Sequence, residues 1–311
     1  MSIVPDTACR RPNLFLVGAP KCGTTAMYRY LADHRDIFMS PVKEPHFFGS
    51  DLINRYGIQD PDRYAKLFVA AGDARWVGEA SVWYLLSERA ALEIKEYSPS
   101  ARIVIMLREP VEMLHSLHAQ RVYSGNENIT DFSAALDAEA DRVRGDRIPR
   151  GCHVVQGLFY RRVVAYAEQV QRFFDVFGRE QVHVVIYDDF KSDPARVYRD
   201  LMTFLELDSA LREDFAVYNP SKRARSIIAN RLIRKPPALV RLVAHRFLSE
   251  EQRRKLGRWL IAHTVVREKR PSLDPDLRDQ LRREFTPRVQ VLEALLNRDL
   301  RGWRLPPAVA A

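Results

Sequence analysis

The residues best suited to chemistry begin with a glycine-containing loop near the N-terminus, Gly18-Ala-Pro-Lys21-Cys-Gly23-Thr24-Thr25. Glycines let such a loop turn so that its N–H groups face phosphate oxygens, and a following helix adds positive potential. The two glycines have the spacing of a nucleotide-phosphate loop, but Thr24 stands where a nucleoside-triphosphate loop needs lysine. Lys21, inside the loop, would lie near a shorter anionic ligand. We expect an anion site with Thr25 capping the helix, rather than an ordinary glycine turn with Lys21 in solvent.

A second candidate anion site follows the apolar run Arg102–Leu107, which predicts a buried strand. Arg108 comes directly after this run, and Ser116 lies two turns into the helix that should follow. In open α/β sheets ligands bind beyond the carboxyl ends of the strands, and arginine suits phosphate recognition. Arg108 is therefore a candidate phosphate ligand. The alternative is a strand-end arginine that pairs with Glu109 or Glu112.

The elements that must position these residues alternate between strands and helices. Four apolar or β-branched runs predict strands, at 14–18, 75–80, 102–107 and 181–187. Segments with apolar residues at helical spacing lie between and after them, at 24–33, 88–97, 131–144, 158–177 and from 193 onward. This alternation predicts an α/β fold with a P-loop-like, mostly parallel sheet flanked by helices.

The rest of the chain has helical patterns and an uneven charge. We expect one domain over 1–311, made of an α/β core, a basic helical cap and a C-terminal helix, at 13–207, 222–270 and 275–304. The cap segment holds 15 Lys and Arg residues against 3 acidic ones, a local charge of +12, whereas the whole chain carries +9. Because the excess is confined to one segment, a local anionic site is favoured over a generally adhesive surface.

Composition excludes several classes of protein. With 311 residues, 46% of them apolar and 29% charged, the chain can bury a large core, so wholesale disorder is excluded. Charges interrupt the apolar stretches before they reach the length of a membrane span, and no signal-like apolar run follows Met1. We therefore expect a cytoplasmic protein. The three cysteines, Cys9, Cys22 and Cys152, are scattered, which fits neither a disulfide framework nor a metal site.

Three motifs together resemble the sulfotransferases that use 3′-phosphoadenosine 5′-phosphosulfate (PAPS), and most of all the heparan-sulfate-type domains and their bacterial relatives. They are Pro20-Lys-Cys-Gly-Thr-Thr25, Lys43-Glu-Pro-His-Phe-Phe48 and Arg102-Ile-Val-Ile-Met-Leu-Arg-Glu-Pro110 with Ser116. The resemblance extends over about 13–304 and includes Asp299-Leu-Arg-Gly-Trp303. It implies sulfuryl transfer from PAPS, without a metal, to a hydroxyl or less favourably an amine of a glycan, glycolipid or small molecule.

The same resemblance implies which residues hold the donor. The 5′-phosphosulfate would be held by the loop residues Lys21, Cys22, Gly23, Thr24 and Thr25. The 3′-phosphate would be held by Arg108 and Ser116. Lys21 would also stabilise charge on the leaving oxygen. A basic loop that closes over the donor is matched more loosely by Lys269 and Arg270, where a solvated run of charges is the alternative.

The catalytic base implied by the resemblance is Glu44, because a carboxylate beside the acceptor can take the proton of its hydroxyl. His46 would orient Glu44 or contact the acceptor, unless it is a structural histidine. Aromatic neighbours would raise the pKa of Glu44 and Lys43 would lower it, and a simple surface pair of the two charges is the alternative. Phe47 and Phe48 are expected in the core or in a pocket wall.

Lys43 and Glu79 are the candidate contacts to the acceptor. The animal relatives carry a lysine at the place where this chain has Ala80, which puts a glycosaminoglycan substrate in doubt but not the PAPS chemistry. The alternative for Glu79 is a residue that simply ends its strand.

Two other functions compete with this interpretation. A P-loop kinase would need lysine at Thr24 and usually an aspartate where Arg108 stands. A nucleic-acid-binding protein using 222–270 would need stacking aromatics, and that segment offers only Phe247 and Trp259, so we expect no specific nucleic acid partner. Basic amphipathic stripes in 222–270 would also suit a peripheral membrane contact, but a cap whose stripes face the core is favoured.

Overall fold

The computed structural model describes residues 10–54, 56–208, 215, 223–224, 246, 249, 252, 265–266 and 272–304. Most of the basic segment 222–270, with Lys269 and Arg270, lies outside the described residues, as do Cys9, Phe247 and Trp259. Its described part includes a two-residue antiparallel ladder of Arg223–Ala224 with Val265–Val266. Residues 223–224 and 265–266 are therefore strands within the predicted helical cap, whereas 246 and 252 are helical.

The core of the fold is a five-stranded, all-parallel sheet in the order β2-β3-β1-β4-β5. Its strands are β1 (Leu14–Gly18), β2 (Ile37–Met39), β3 (Trp76–Ala80), β4 (Arg102–Leu107) and β5 (Val182–Ile186). The α/β prediction is confirmed. The sequence did not predict β2, because three residues are too few to show a periodic pattern.

Helices flank the sheet and connect its strands. They are α1 (Thr24–Ala32), α2 (Pro61–Ala65), α3 (Ala90–Tyr97), α4 (Pro110–Ser124), α5 (Phe132–Asp137), α6 (Glu139–Val143), α7 (Tyr160–Val163), α8 (Tyr166–Phe177), α9 (Tyr187–Ser192), α10 (Pro194–Phe204) and α11 (Pro275–Leu296). The predicted helices at 131–144 and 158–177 are each broken in two. The second break falls at Val164 and Ala165, whose ψ values of 12° and 55° leave the helical range.

The C-terminal helix packs back on the core. Leu281, Phe285, Val289 and Leu292 form the buried stripe of α11, which lies against α4 and α8. A helix is predicted from the apolar spacing over 275–297, and it ends at Leu296 because Asn297 adopts a left-handed φ of 49°. Within the part of the chain that is described, no helix is both long and apolar enough to cross a bilayer.

The parallel sheet decides where the candidate site lies. Because every strand runs in the same direction, the segments that follow β1, β2, β3 and β4 all leave from one edge of the sheet. Lys21 follows β1, Glu44 follows β2 and Arg108 follows β4. Side chains from three separate motifs are thus brought to the same edge.

Candidate active site

The glycine loop joins β1 to α1 and presents the start of that helix. Gly23 is the N-cap residue with φ of 87°, a left-handed conformation that favours glycine. No side chain caps α1, so the prediction that Thr25 caps the helix is wrong. Without a side-chain cap, the N–H groups at Thr24 and Thr25 are left available to an anion. Thr24 is itself nearly buried and Thr25 half-buried.

Two basic residues meet at this loop. Lys21 adopts φ of 63° within the loop, and Arg108 Nη1 lies 3.5 Å from the carbonyl oxygen of Lys21. The guanidinium of Arg108 also lies 4.9 Å above the ring of Tyr187. Nothing in the sequence pattern indicated a role for this ring. The positive charge of Arg108 therefore lies beside the phosphate loop, as expected of an anion site.

The alternative partners of Arg108 are also present. Glu112 Oε2 lies 3.5 Å from Arg108 Nη2, at the limit of a hydrogen bond, whereas Glu109 pairs with Arg282 of α11 at 3.2 Å. The Arg108 side chain is still 19% exposed. Because its contacts are long, Arg108 keeps donors for a ligand. Ser116 is half-buried in α4, two turns beyond.

Cys22 is placed differently from its neighbours. Its thiol is fully buried and donates to the carbonyl oxygen of Pro20 at 3.3 Å. Burial raises the pKa of Cys22 to about 12, although the charges of Arg108 and Lys21 oppose this. The side chain is therefore neutral and faces the core, and only the backbone of Cys22 is suited to a ligand in the loop.

The predicted base, Glu44, lies in the segment that follows β2 and is held by its two neighbours. Lys43 Nζ is 2.8 Å from Glu44 Oε1, and His46 Nε2 is 3.5 Å from Glu44 Oε2. The Glu44 side chain remains 38% exposed. The surface pair with Lys43 that was the alternative does form, and it leaves the carboxylate accessible to an acceptor.

These contacts decide the charge state of Glu44. Burial acts to raise the pKa of Glu44, but the hydrogen bond from His46 and the charge of Lys43 outweigh it and lower this pKa to about 2. The aromatic neighbours lie in the core, as expected: Phe48 is buried, and Phe47 stacks on Tyr64 with ring centroids 4.1 Å apart. Glu44 is therefore a carboxylate at neutral pH.

Hydrogen bonds to residues at and after the end of β3 hold the segment 43–48 in place. The Glu44 N–H donates to the carbonyl of Ala80 at 2.8 Å, and the His46 N–H donates to Ser81 Oγ at 3.1 Å. The N–H groups at 47 and 48 both donate to the hydroxyl of Tyr84, at 2.9 and 3.2 Å. Sequence reasoning missed Ser81 and Tyr84, since nothing in their spacing links them to a segment about 36 residues earlier.

Glu79 is 0% exposed within β3. This burial does not support the predicted contact of Glu79 with an acceptor, because the residue lies behind the segment 43–48 rather than on the surface of the site. Lys43, the other predicted acceptor contact, is half-buried and pairs with Glu44. In the described ranges, no cluster of three His, Cys, Asp or Glu residues could hold a metal ion.

Comparison with known proteins agrees with this geometry. A family model described as "Sulfotransferase domain" matches residues 11–292. A solved sulfotransferase from Alicyclobacillus acidocaldarius is 33% identical, with a TM-score of 0.71, over 95% of this chain and 100% of that one. Its similarity extends beyond the phosphate loop to nearly the entire chain.

The names of two curated relatives refer to carbohydrate and heparan sulfate. Carbohydrate sulfotransferase 15 from Mus musculus is 23% identical over 266 residues, which cover 69% of this chain and 47% of that protein. Bifunctional heparan sulfate N-deacetylase/N-sulfotransferase 1 from Caenorhabditis briggsae is 22% identical over 233 residues, 70% of this chain and 26% of that protein. The chain spans about half the length of such relatives, or less. Because the family model matches nearly the whole chain, this chain belongs to the sulfotransferase family.

Proposed function

We propose that this sulfotransferase moves a sulfuryl group from PAPS to a hydroxyl or amine of an acceptor. The observation that carries the proposal is the meeting of Lys21, Arg108 and the uncapped start of α1 at one sheet edge, with the carboxylate of Glu44 following the strand β2 at that edge. Basic groups and an ionised carboxylate at one edge of the sheet suit an anionic donor and a protic acceptor.

The donor residues fit PAPS by their chemistry. PAPS would supply an activated sulfuryl group, joined to a phosphate that can leave. Backbone N–H groups at Gly23, Thr24 and Thr25 suit the phosphosulfate, because a helix start favours anions. Arg108 suits the 3′-phosphate, with Ser116 as a neutral donor. Lys269 and Arg270 are proposed to close over the donor, and both lie outside the described residues.

The reaction then needs one proton transfer and one charge stabiliser. The acceptor oxygen forms a bond to sulfur, the bond from sulfur to the 5′-phosphate oxygen breaks, and adenosine 3′,5′-bisphosphate leaves. Lys21 stabilises the charge that grows on the departing oxygen. Glu44 takes the acceptor proton. Its low pKa suffices because an alcohol oxygen becomes strongly acidic once it bonds to sulfur.

The acceptor class is proposed from the relatives. The names of the curated relatives refer to carbohydrate and heparan sulfate, which supports a sugar hydroxyl or amine as the first class to test. Glycolipids and small molecules are also candidate acceptors. The reason is that Ala80 stands where the animal heparan-type enzymes have lysine, which argues against a glycosaminoglycan as the sole acceptor class. We also propose that the enzyme works in the cytoplasm.

The decisive test is transfer from isotopically labelled PAPS to a panel of glycans, glycolipids and phenols, read by mass spectrometry. Thermal shift with adenosine 3′,5′-bisphosphate and with ATP should accompany it. We expect sulfated product and stabilisation by the bisphosphate. Stabilisation by ATP alone, with phosphorylated product in its presence, would instead support the kinase alternative.

A further inference from the structure

A buried polar cluster lies directly behind the candidate base. At its centre is the carboxyl of Glu79, which is 0% exposed in a strand whose other residues are apolar or glycine. The hydroxyl groups of Tyr84, Tyr64 and Ser81 are close enough to influence its titration. Among the described residues, however, neither carboxyl oxygen of Glu79 has a hydrogen-bond partner of normal geometry, and the Tyr64 hydroxyl has none either.

The surroundings of Glu79 hold it in the neutral form. Burial raises the pKa of Glu79 to about 8, against smaller opposing effects of Tyr84, Tyr64, Ser81 and the charge of Lys43. Lys43 is already paired with Glu44 at 2.8 Å. An ionised carboxyl without a partner is costly in such a place, whereas a protonated one is an uncharged hydrogen-bond donor and acceptor.

The same cluster carries the segment that holds the base. Ser81 Oγ accepts the His46 N–H, and the Tyr84 hydroxyl accepts two further N–H groups of the segment. Glu44 and His46 adopt φ values of 63° and 49°, which side-chain-bearing residues rarely adopt. Such a conformation persists only when surrounding contacts hold it. The segment therefore depends on where the hydroxyl groups at 81 and 84 are fixed.

We infer that Glu79 is a positioning residue that acts as a protonated carboxyl, a buried uncharged group beside the Tyr84 and Ser81 hydroxyl groups that lets them keep their places and, through them, positions the base Glu44. The inference rests on the proposed function, because it gives Glu79 a role in the reaction of that site. It replaces the predicted contact of Glu79 with the acceptor. Ionisation of Glu79 would place an unpaired charge beneath the segment and compete with Glu44 for Lys43.

The first test is Glu79→Gln, which keeps the shape and the neutral state. At about pH 7 we expect kcat within about threefold of wild type and unchanged affinity for adenosine 3′,5′-bisphosphate. Wild-type kcat should fall as the pH rises through about 8, and the variant should lose this alkaline decline. A role of Glu79 as an ionised acceptor ligand predicts instead a large loss of activity in the variant at neutral pH, which would overturn the inference.

Thermal stability gives a readout that does not need the reaction. The pKa of Glu79 is about 8 in the folded chain, so the carboxyl keeps its proton up to that pH, whereas in the unfolded chain it loses the proton near its ordinary pKa of 4.5. Wild-type stability therefore falls across this window, by linkage, and Glu79→Gln removes that slope. The melting-temperature advantage of the variant should grow from about pH 5 to about pH 8. A constant difference would mean that Glu79 does not titrate there, and the inference would fail even if transfer is confirmed.

The contact to the segment is tested by Tyr84→Phe. This variant leaves the two N–H groups without their acceptor, and we expect kcat to fall about tenfold or more with bisphosphate affinity unchanged. Tyr97→Phe is the matched control, because its ring packs on Phe48 in the same cluster while the N–H groups at 47 and 48 are bound to Tyr84. Equal effects of the two variants would contradict the positioning role. If wild type transfers nothing from PAPS, the proposed function fails, and the pH dependence of stability still tests Glu79.

Discussion

The two halves of the site are built in different ways. The phosphate loop of the donor half, from Gly18 to Thr25, is a continuous turn between β1 and α1 that ends in a left-handed Gly23 at the start of the helix. The acceptor half, 43–48, has two unusual backbone conformations and is held by hydrogen bonds to 80–84. The phosphate loop is thus a local feature of the sequence, whereas the placement of the base depends on residues at and after the end of a distant strand, β3.

Their electrostatics differ as well. On the donor side Arg108 has contacts of 3.5 Å, long enough to be exchanged for a phosphate. On the acceptor side the charge of Glu44 is already balanced at 2.8 Å by Lys43 and supported by His46. Arg108 in the donor half can therefore bind an anion, and the ionised carboxylate of Glu44 in the acceptor half can accept a proton. Substitution of Glu44 in the acceptor half should therefore lower turnover without changing nucleotide affinity, whereas substitution of Arg108 in the donor half should lower nucleotide affinity.

The largest effect is expected for Glu44→Gln. The amide keeps the shape of the side chain but cannot take the acceptor proton, so transfer should be nearly abolished. Affinity for adenosine 3′,5′-bisphosphate, measured by calorimetry, should stay close to wild type because the donor half is unchanged. Near-normal turnover in this variant would move the base to His46 or another residue.

Lys21→Ala should lower kcat by about 10²–10³-fold, the usual effect of removing one preorganised stabiliser of transition-state charge. Single-turnover measurements with PAPS would show the loss in the chemical step. The melting temperature without ligand should hardly change, since Lys21 is only half-buried in a loop. Lys95→Ala, whose ammonium binds the carbonyl of Pro99, is the control. A Lys21 variant that unfolds would make this residue structural.

The sequence predicted more of the donor half than of the acceptor half. The phosphate loop was predictable because its glycines, lysine and threonines are consecutive, and Arg108 because it directly follows a strongly apolar strand. The charge of Glu44 was not, because its pKa depends on where Lys43 Nζ and His46 Nε2 lie in space. The role of Tyr84 was hidden for the same reason, since its partners are 36 and 37 residues away.

Prediction of the fold from the sequence has a similar limit. Four strands were predictable from apolar runs, whereas β2 is too short for a pattern. The breaks between α5 and α6 and between α7 and α8 were missed because the apolar spacing continues across them. Tertiary packing decides such breaks, and a local pattern does not record it.

Arg108→Ala tests whether the donor half has a separate binding site for the 3′-phosphate. It removes a charged donor from the proposed 3′-phosphate site, which corresponds to about 10- to 100-fold in affinity. Calorimetry should show this loss for adenosine 3′,5′-bisphosphate but not for adenosine 5′-monophosphate. Arg102→Ala, at the other end of β4 and paired with Glu206 at 2.9 Å, is the matched control. Equal losses for the two nucleotides would place Arg108 away from the 3′-phosphate.

The smallest expected effect, and the most specific one for the acceptor half, is the pH response of Lys43→Met. The charge of Lys43 favours the ionised form of Glu44, whose pKa is about 2, so wild-type kcat/KM should show no acidic decline from Glu44 in the mildly acidic range. Removing that charge leaves the burial that raises the pKa of Glu44 with less to oppose it. The acidic limb should therefore move to higher pH. Lys43→Arg, which keeps the charge, should retain the wild-type limb. If the limbs of Lys43→Met and Lys43→Arg coincide, the ion pair does not set the charge of the base, and the hydrogen bond from His46 must do so alone.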